Sequence, residues 1–120
     1  MGKRILVVDD AMFMRKMLGD ILRAAGHDVV GEAENGKEAY AKYKELEPDL
    51  VTMDITMPVC NGIDGVKLIT DDYPGAVILM VSAMGQENMV IDSVKNGAKG
   101  FIVKPFERDK ILTTIARLAK

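Results

Sequence analysis

At 120 residues the chain suits one domain, large enough to bury a hydrophobic core without disulfide or metal staples. A content of 48% hydrophobic and 28% charged residues excludes intrinsic disorder, and 16 basic against 18 acidic side chains, with no long Lys/Arg run, exclude the basic footprint of a nucleic-acid binder. Cys60 is the only cysteine, which rules out an intramolecular disulfide and reads as an ordinary buried or half-buried thiol; the apolar run 5–8 stops at Asp9-Asp10, too short for a signal core or a membrane span, so a cytoplasmic protein without membrane insertion is expected.

The run 5–8 predicts a first strand. Phe13, Met14, Met17, Leu18, Ile21 and Leu22 recur at three- and four-residue spacing and predict a first helix, closed by Gly26. His27, the lone histidine, follows in a turn and is expected to be solvated. A second strand at 29–31 leads to the turn Asn35-Gly36 and a helix carrying Ala39, Tyr40, Tyr43 and Leu46, which Pro48 stops. The third strand, 50–53, precedes a helix running from Gly62 through Val66 and Ile69. A fourth strand at 77–81 precedes a helix with Met89, Val90 and Val94 that ends at Gly97. The fifth strand, 101–103, precedes a helix with Ile111, Leu112, Ile115 and Leu118.

Consecutive apolar positions in these runs suit strands covered on both faces, so the pattern predicts an α/β fold, (βα)5, with a doubly wound five-stranded parallel sheet in the order 2-1-3-4-5. Of nine methionines, Met14, Met17, Met53 and Met80 are expected in the core, and Met84 and Met89 on a partner surface.

In such a sheet ligands sit beyond the carboxyl ends of the strands, near the switch point between the first and third. There the chain places Asp9-Asp10, Asp54, Ser82 and Lys104-Pro105. Singly, each has a plain explanation: a helix cap, a turn residue, a solvated lysine. Together they do not, because unit charges ~4 Å apart interact by about 4 kcal/mol at an effective dielectric near 20, and three clustered carboxylates require a cation. Mg2+ takes oxygen ligands from one or two carboxylates, waters and phosphate oxygens. Lys104 suits a point-charge contact to a phosphoryl group, Ser82 a hydroxyl donor to it, and Asp54 a nucleophile that forms an acyl phosphate.

The blocks Val7-Val8-Asp9-Asp10, Met53-Asp54-Ile55-Thr56-Met57-Pro58, Val81-Ser82-Ala83, Gly97-Ala98-Lys99 and Val103-Lys104-Pro105-Phe106 stand in order along the whole chain, and jointly they resemble the response-regulator receiver family, whose fold is flavodoxin-like. The resemblance implies that Asp54 accepts a phosphoryl group from a histidine kinase, with Asp9 and Asp10 as the acid pocket. It also implies Mg2+, with Mn2+ as a substitute, on Asp10, Asp54 and the Thr56 backbone carbonyl, and on Asp9 through water. Ser82 and Phe101 resemble the family's switch pair, and Lys104 its phosphate-contacting lysine, before a cis Lys104-Pro105 bond.

Asp9-Asp10-Ala11-Met12-Phe13-Met14-Arg15-Lys16 and Phe101-Ile102-Val103-Lys104-Pro105-Phe106 are most similar to single-domain chemotaxis regulators of thermophilic bacteria and archaea. Cys60 stands where the family usually has a second Met, and Gly100 where an acidic residue is frequent. The implied protein is a monomeric receiver over residues 1–120 with no output domain, not an enzyme in its own right. Its implied partners are a chemotaxis-type histidine kinase, a flagellar or archaellar motor switch protein or adaptor, and a phosphatase. They would read the face of the fourth helix, fifth strand and fifth helix.

A phosphorelay shuttle, or a receiver cut from a larger regulator, would share the same residues. A haloacid-dehalogenase-type phosphatase would instead close its first strand on Asp-x-Asp, and a flavodoxin-type electron carrier would need a hydroxyl-rich loop where Ala11-Met12-Phe13 stands.

Overall fold

The computed structural model describes residues 2–119. Its elements alternate as β1 (Arg4–Val8), α1 (Met12–Ala24), β2 (Asp28–Ala33), α2 (Gly36–Leu46), β3 (Leu50–Asp54), α3 (Gly62–Asp72), β4 (Ile78–Ser82), α4 (Glu87–Lys95), β5 (Gly100–Val103) and α5 (Arg108–Leu118). The strands form one parallel sheet in the order β2-β1-β3-β4-β5, as the alternation of runs and helices predicts.

The two faces follow from the two-residue period of a strand. Leu6, Val8, Val51, Met53, Ile78 and Met80 point to one side, where Ala39 and Tyr43 of α2, Val66 and Ile69 of α3 and Val90 of α4 cover them. Ile5, Val7, Leu50, Leu79, Val81 and Ile102 point to the other, under Leu18 and Leu22 of α1 and Ile111 and Ile115 of α5. Burial on both faces explains why β1, β3 and β4 are near-continuous apolar runs. Asn35 and Asn61 cap α2 and α3 by accepting from the backbone N–H of Glu38 and Asp64, at 2.8 and 2.9 Å.

Three expectations are corrected. Phe13, placed on the inward stripe of the first helix, is 74% exposed, and Met14 and Met17 are only half-buried. The first turn of α1 lies beyond the end of β1, past the sheet, so the helix reaches the core only from Leu18 onward. His27 is half-buried rather than solvated, because its Nδ1 accepts from the Lys3 backbone N–H at 3.0 Å. Met53 and Met80 are fully buried, while Met84 and Met89 are exposed, as expected.

Thr52, in the middle of β3, is 1% exposed, and its hydroxyl finds no hydrogen-bond partner among the described residues. An unpaired buried hydroxyl carries its desolvation cost uncompensated, so Thr52→Val is expected to stabilise the fold by about 1 kcal/mol, read as a higher urea midpoint at unchanged slope.

Candidate phosphoacceptor site

The carboxyl edge of the sheet gathers the predicted residues. Asp9 and Asp10 follow β1, Asp54 is the last residue of β3, Ser82 the last of β4, and Lys104 directly follows β5, joined onward to Pro105 by a cis bond. Asp9 and Asp54 are 6% and 8% exposed, yet carboxylate oxygens of Asp9, Asp10 and Asp54 all lie within 4.8 Å of one another. Lys104 Nζ stands 3.2 Å from Asp9 Oδ2 and 3.6 Å from Asp54 Oδ1. One ammonium against three carboxylates leaves the pocket short of positive charge.

The imbalance shows in Asp54, whose carboxyl is pushed up from 3.8 to about 6. Burial is the main cause and the Asp9 charge the next; Lys104 and the Ile55 N–H, which donates to Oδ1 at 2.9 Å, pull the other way, and Asp10 adds a further upward push.

Local structure holds these groups in place. Asp9 Oδ1 accepts from the Ala11 N–H at 2.9 Å, which shapes the turn into α1. Arg15 donates from Nη1 to the Asp9 carbonyl and from Nε to Glu32 Oε1, both at 2.8 Å, and so pins the end of β1 to β2. Behind Asp54, the Gly62 N–H donates to the Ile55 carbonyl at 2.7 Å. A Cβ on Gly62 would lie 2.1 Å from the Asp54 carbonyl oxygen, so only glycine lets α3 begin there. The intervening loop buries Ile55 and Met57, leaves Thr56 exposed, and turns through Val59 at a φ of 69°.

The donor set suits a hard cation. With oxygens of three carboxylates within 4.8 Å of one another, Asp9, Asp10 and Asp54 would suit Mg2+, which takes oxygen ligands from carboxylates and water. Farther along the edge, the Ser82 hydroxyl is buried, donates weakly to the Ile102 carbonyl at 3.4 Å, and borders a cavity of about 410 Å3 that Phe101, Met84, Val90 and Ile91 also line. Phe101 is half exposed at the cavity's edge.

Sequence reasoning missed two residues. Arg15 lies one helical turn past the acid pair, and only the fold brings Glu32 beside it. Gln86, in the loop after β4, bonds both Ala83 and Thr56; no motif marks it.

The sequence pattern described as "Response regulator receiver domain" matches residues 5–116, and the parallel (βα)5 topology with acidic residues and a lysine at the carboxyl edge of the sheet agrees with it: the chain belongs to that family. It is a CheY-like receiver of two-component signalling. Among its relatives, the chemotaxis protein CheY of Thermotoga maritima is 58% identical over the full length of both chains, and that of Bacillus subtilis is 58% identical over 96% of each. Two solved structures share the fold at TM-score 0.91 and 39% identity: the response regulator domain of Thermotoga maritima CheB, covering 99% of this chain and 97% of that one, and the CheX-CheY-BeF3-Mg complex from Borrelia burgdorferi, covering 98% and 90%. Among the described residues no helix is long and apolar enough to cross a membrane.

Proposed function

We propose that the chain acts as a chemotaxis receiver, taking a phosphoryl group on Asp54 from a histidine kinase. The observation that supports this most is the convergence of Asp9, Asp10 and Asp54 within 4.8 Å beside Lys104.

In the transfer, an Asp54 carboxylate oxygen attacks phosphorus; the new P–O bond forms as the P–N bond of the donor phosphohistidine breaks, and the imidazole leaves with the electron pair and takes a proton. A carboxyl near 6 is mostly ionised at neutral pH, the form that attacks phosphorus. Asp9 holds Lys104 through Oδ2, and Lys104 meets the charge of the arriving group. Asp10, Asp54 and the Thr56 carbonyl would hold Mg2+ or Mn2+, with Asp9 bound through water. When bound, the cation offsets the negative charge that the pocket and the phosphoryl group share. The same groups assist hydrolysis of the acyl phosphate by water.

Ser82 turns its hydroxyl to the new phosphoryl oxygens and Phe101 shifts toward the cavity, biasing the α4–β5–α5 face between two states. A flagellar or archaellar motor switch protein or adaptor reads that face. A phosphatase is a further partner, supported by the CheX-CheY complex of the Borrelia burgdorferi relative. The protein works as a monomer in the cytoplasm.

Incubation with a phosphorylated chemotaxis kinase tests this reading. The label should pass to wild type and to Ser82→Ala, but not to Asp54→Asn. In Ser82→Ala the NMR shifts of α4 on labelling should be much reduced; shifts equal to wild type would remove Ser82 from the switch.

A further inference from the structure

Gln86 immediately precedes α4, and its carboxamide makes two hydrogen bonds that the phosphotransfer reading does not use. Its Oε1 accepts from the Ala83 N–H at 2.6 Å, and its Nε2 donates to Thr56 Oγ1 at 2.8 Å. Ala83 is the first residue after β4, Thr56 the second after β3, and the register pairs Asp54 with Val81. One side chain therefore ties together the two loops that leave the sheet beside the phosphoacceptor. The Gln86 backbone carbonyl also accepts from the Val90 N–H at 3.0 Å, so the tie continues into the first turn of α4.

Building on the function proposed above, we infer that Gln86 is a latch that holds α4 in its resting position and is released when Asp54 is phosphorylated. The reason is competition for one donor. The Ala83 amide follows Ser82 at the edge where Asp54 ends its strand, so an acyl phosphate on Asp54 brings charged acceptor oxygens to the donor that Gln86 Oε1 occupies at rest. A charge-assisted bond is roughly twice as strong as a neutral amide pair, so the Ala83 N–H exchanges partners. No covalent bond changes in this exchange. Once its carboxamide loses Ala83, Gln86 keeps only the exposed Thr56 hydroxyl, and the start of α4 is free to move against the cavity lined by Met84, Val90 and Phe101. The latch gives the phosphoryl group a route to α4 in addition to the Ser82–Phe101 pair.

The test compares unphosphorylated proteins by 15N NMR. Gln86→Leu keeps the bulk and removes both bonds. Its Ala83 amide should exchange with solvent about fivefold faster than wild type, the ratio that one net hydrogen bond supplies. Its α4 resonances should lie displaced toward the positions that acetyl phosphate with Mg2+ induces in wild type. Thr56→Val, which removes one bond, should move the same resonances by a smaller amount, and Thr56→Ser should leave them in place. An unchanged Ala83 exchange rate with unshifted α4 resonances in Gln86→Leu would overturn the latch, as would equal effects of Thr56→Ser and Thr56→Val. If wild type takes no label from acetyl phosphate, the proposed function fails instead, while the Ala83 exchange rates still decide whether Gln86 makes the tie.

Discussion

Asp54→Asn is expected to make the metal-free protein more stable at pH 7, by about 2 kcal/mol once solvent screening of the pocket is allowed for. The carboxyl titrates near 6 in the fold against 3.8 ordinarily, so between those values the native state holds more protons than the unfolded chain. Stability contributed by this group therefore falls as pH rises through that window, and the deficit is complete above about 6. Asparagine keeps the shape and removes the charge, and with it the repulsion from Asp9 and Asp10. Urea melts in EDTA should show wild type gaining on the variant as the pH is lowered from 7 toward 4.5. Mg2+ should reverse the order at pH 7, since a ligand that binds only the native wild-type pocket adds ~2.7 kcal/mol at a hundredfold excess over its dissociation constant. An Asn variant less stable than wild type in EDTA would mean that Asp54 serves as a structural hydrogen-bond acceptor, through the Ile55 N–H, more than as a member of a strained acid cluster.

Gly62→Ala is expected to cost about 3 kcal/mol, the upper range for forcing volume into a packed site, and to slow phosphorylation with it. The added methyl would sit 2.1 Å from the Asp54 carbonyl oxygen, 3.0 Å from its carbonyl carbon and 3.0 Å from the Ile55 Cα, all backbone atoms with no rotamer to escape into. Relief must come from moving α3 or the end of β3. The first breaks the Gly62–Ile55 bond, and the second displaces Asp54. Urea melts and the rate of labelling by acetyl phosphate should fall together. A variant with wild-type stability and wild-type labelling would show that the glycine holds neither the loop nor Asp54 in place.

The parallel sheet was legible because β1, β3 and β4 are covered on both faces, which leaves Ile5 to Val8 and Ile78 to Val81 apolar at every position and Leu50 to Met53 apolar at all but Thr52. Strand ends were legible for a related reason: the first polar residues after those runs, Asp9, Asp54 and Ser82, sit where the sheet emerges from its cover. What periodicity could not tell was how far each helix overlaps the sheet. Phe13 has the spacing of a core residue, but it belongs to a turn of α1 that lies past the end of β1. His27 looked solvated because its partner, the Lys3 backbone N–H, lies 24 residues away along the chain. Gln86 and Arg15 were missed on the same ground, since their partners Thr56 and Glu32 come from other loops and strands and leave no local pattern. Thr52 could not be singled out either, because a threonine in a strand is ordinary until its buried hydroxyl is seen to lack a partner among the described residues.

The most direct test of the central claim, that Asp54 takes a phosphoryl group in a pocket that needs a cation, is mass spectrometry of the protein after incubation with acetyl phosphate, with Mg2+ or with EDTA. The expected result is a single phosphoryl adduct on the peptide holding Asp54, formed with Mg2+, absent in EDTA and absent from Asp54→Ala. Equal labelling of Asp54→Ala, or equal labelling of wild type with and without the cation, would contradict it.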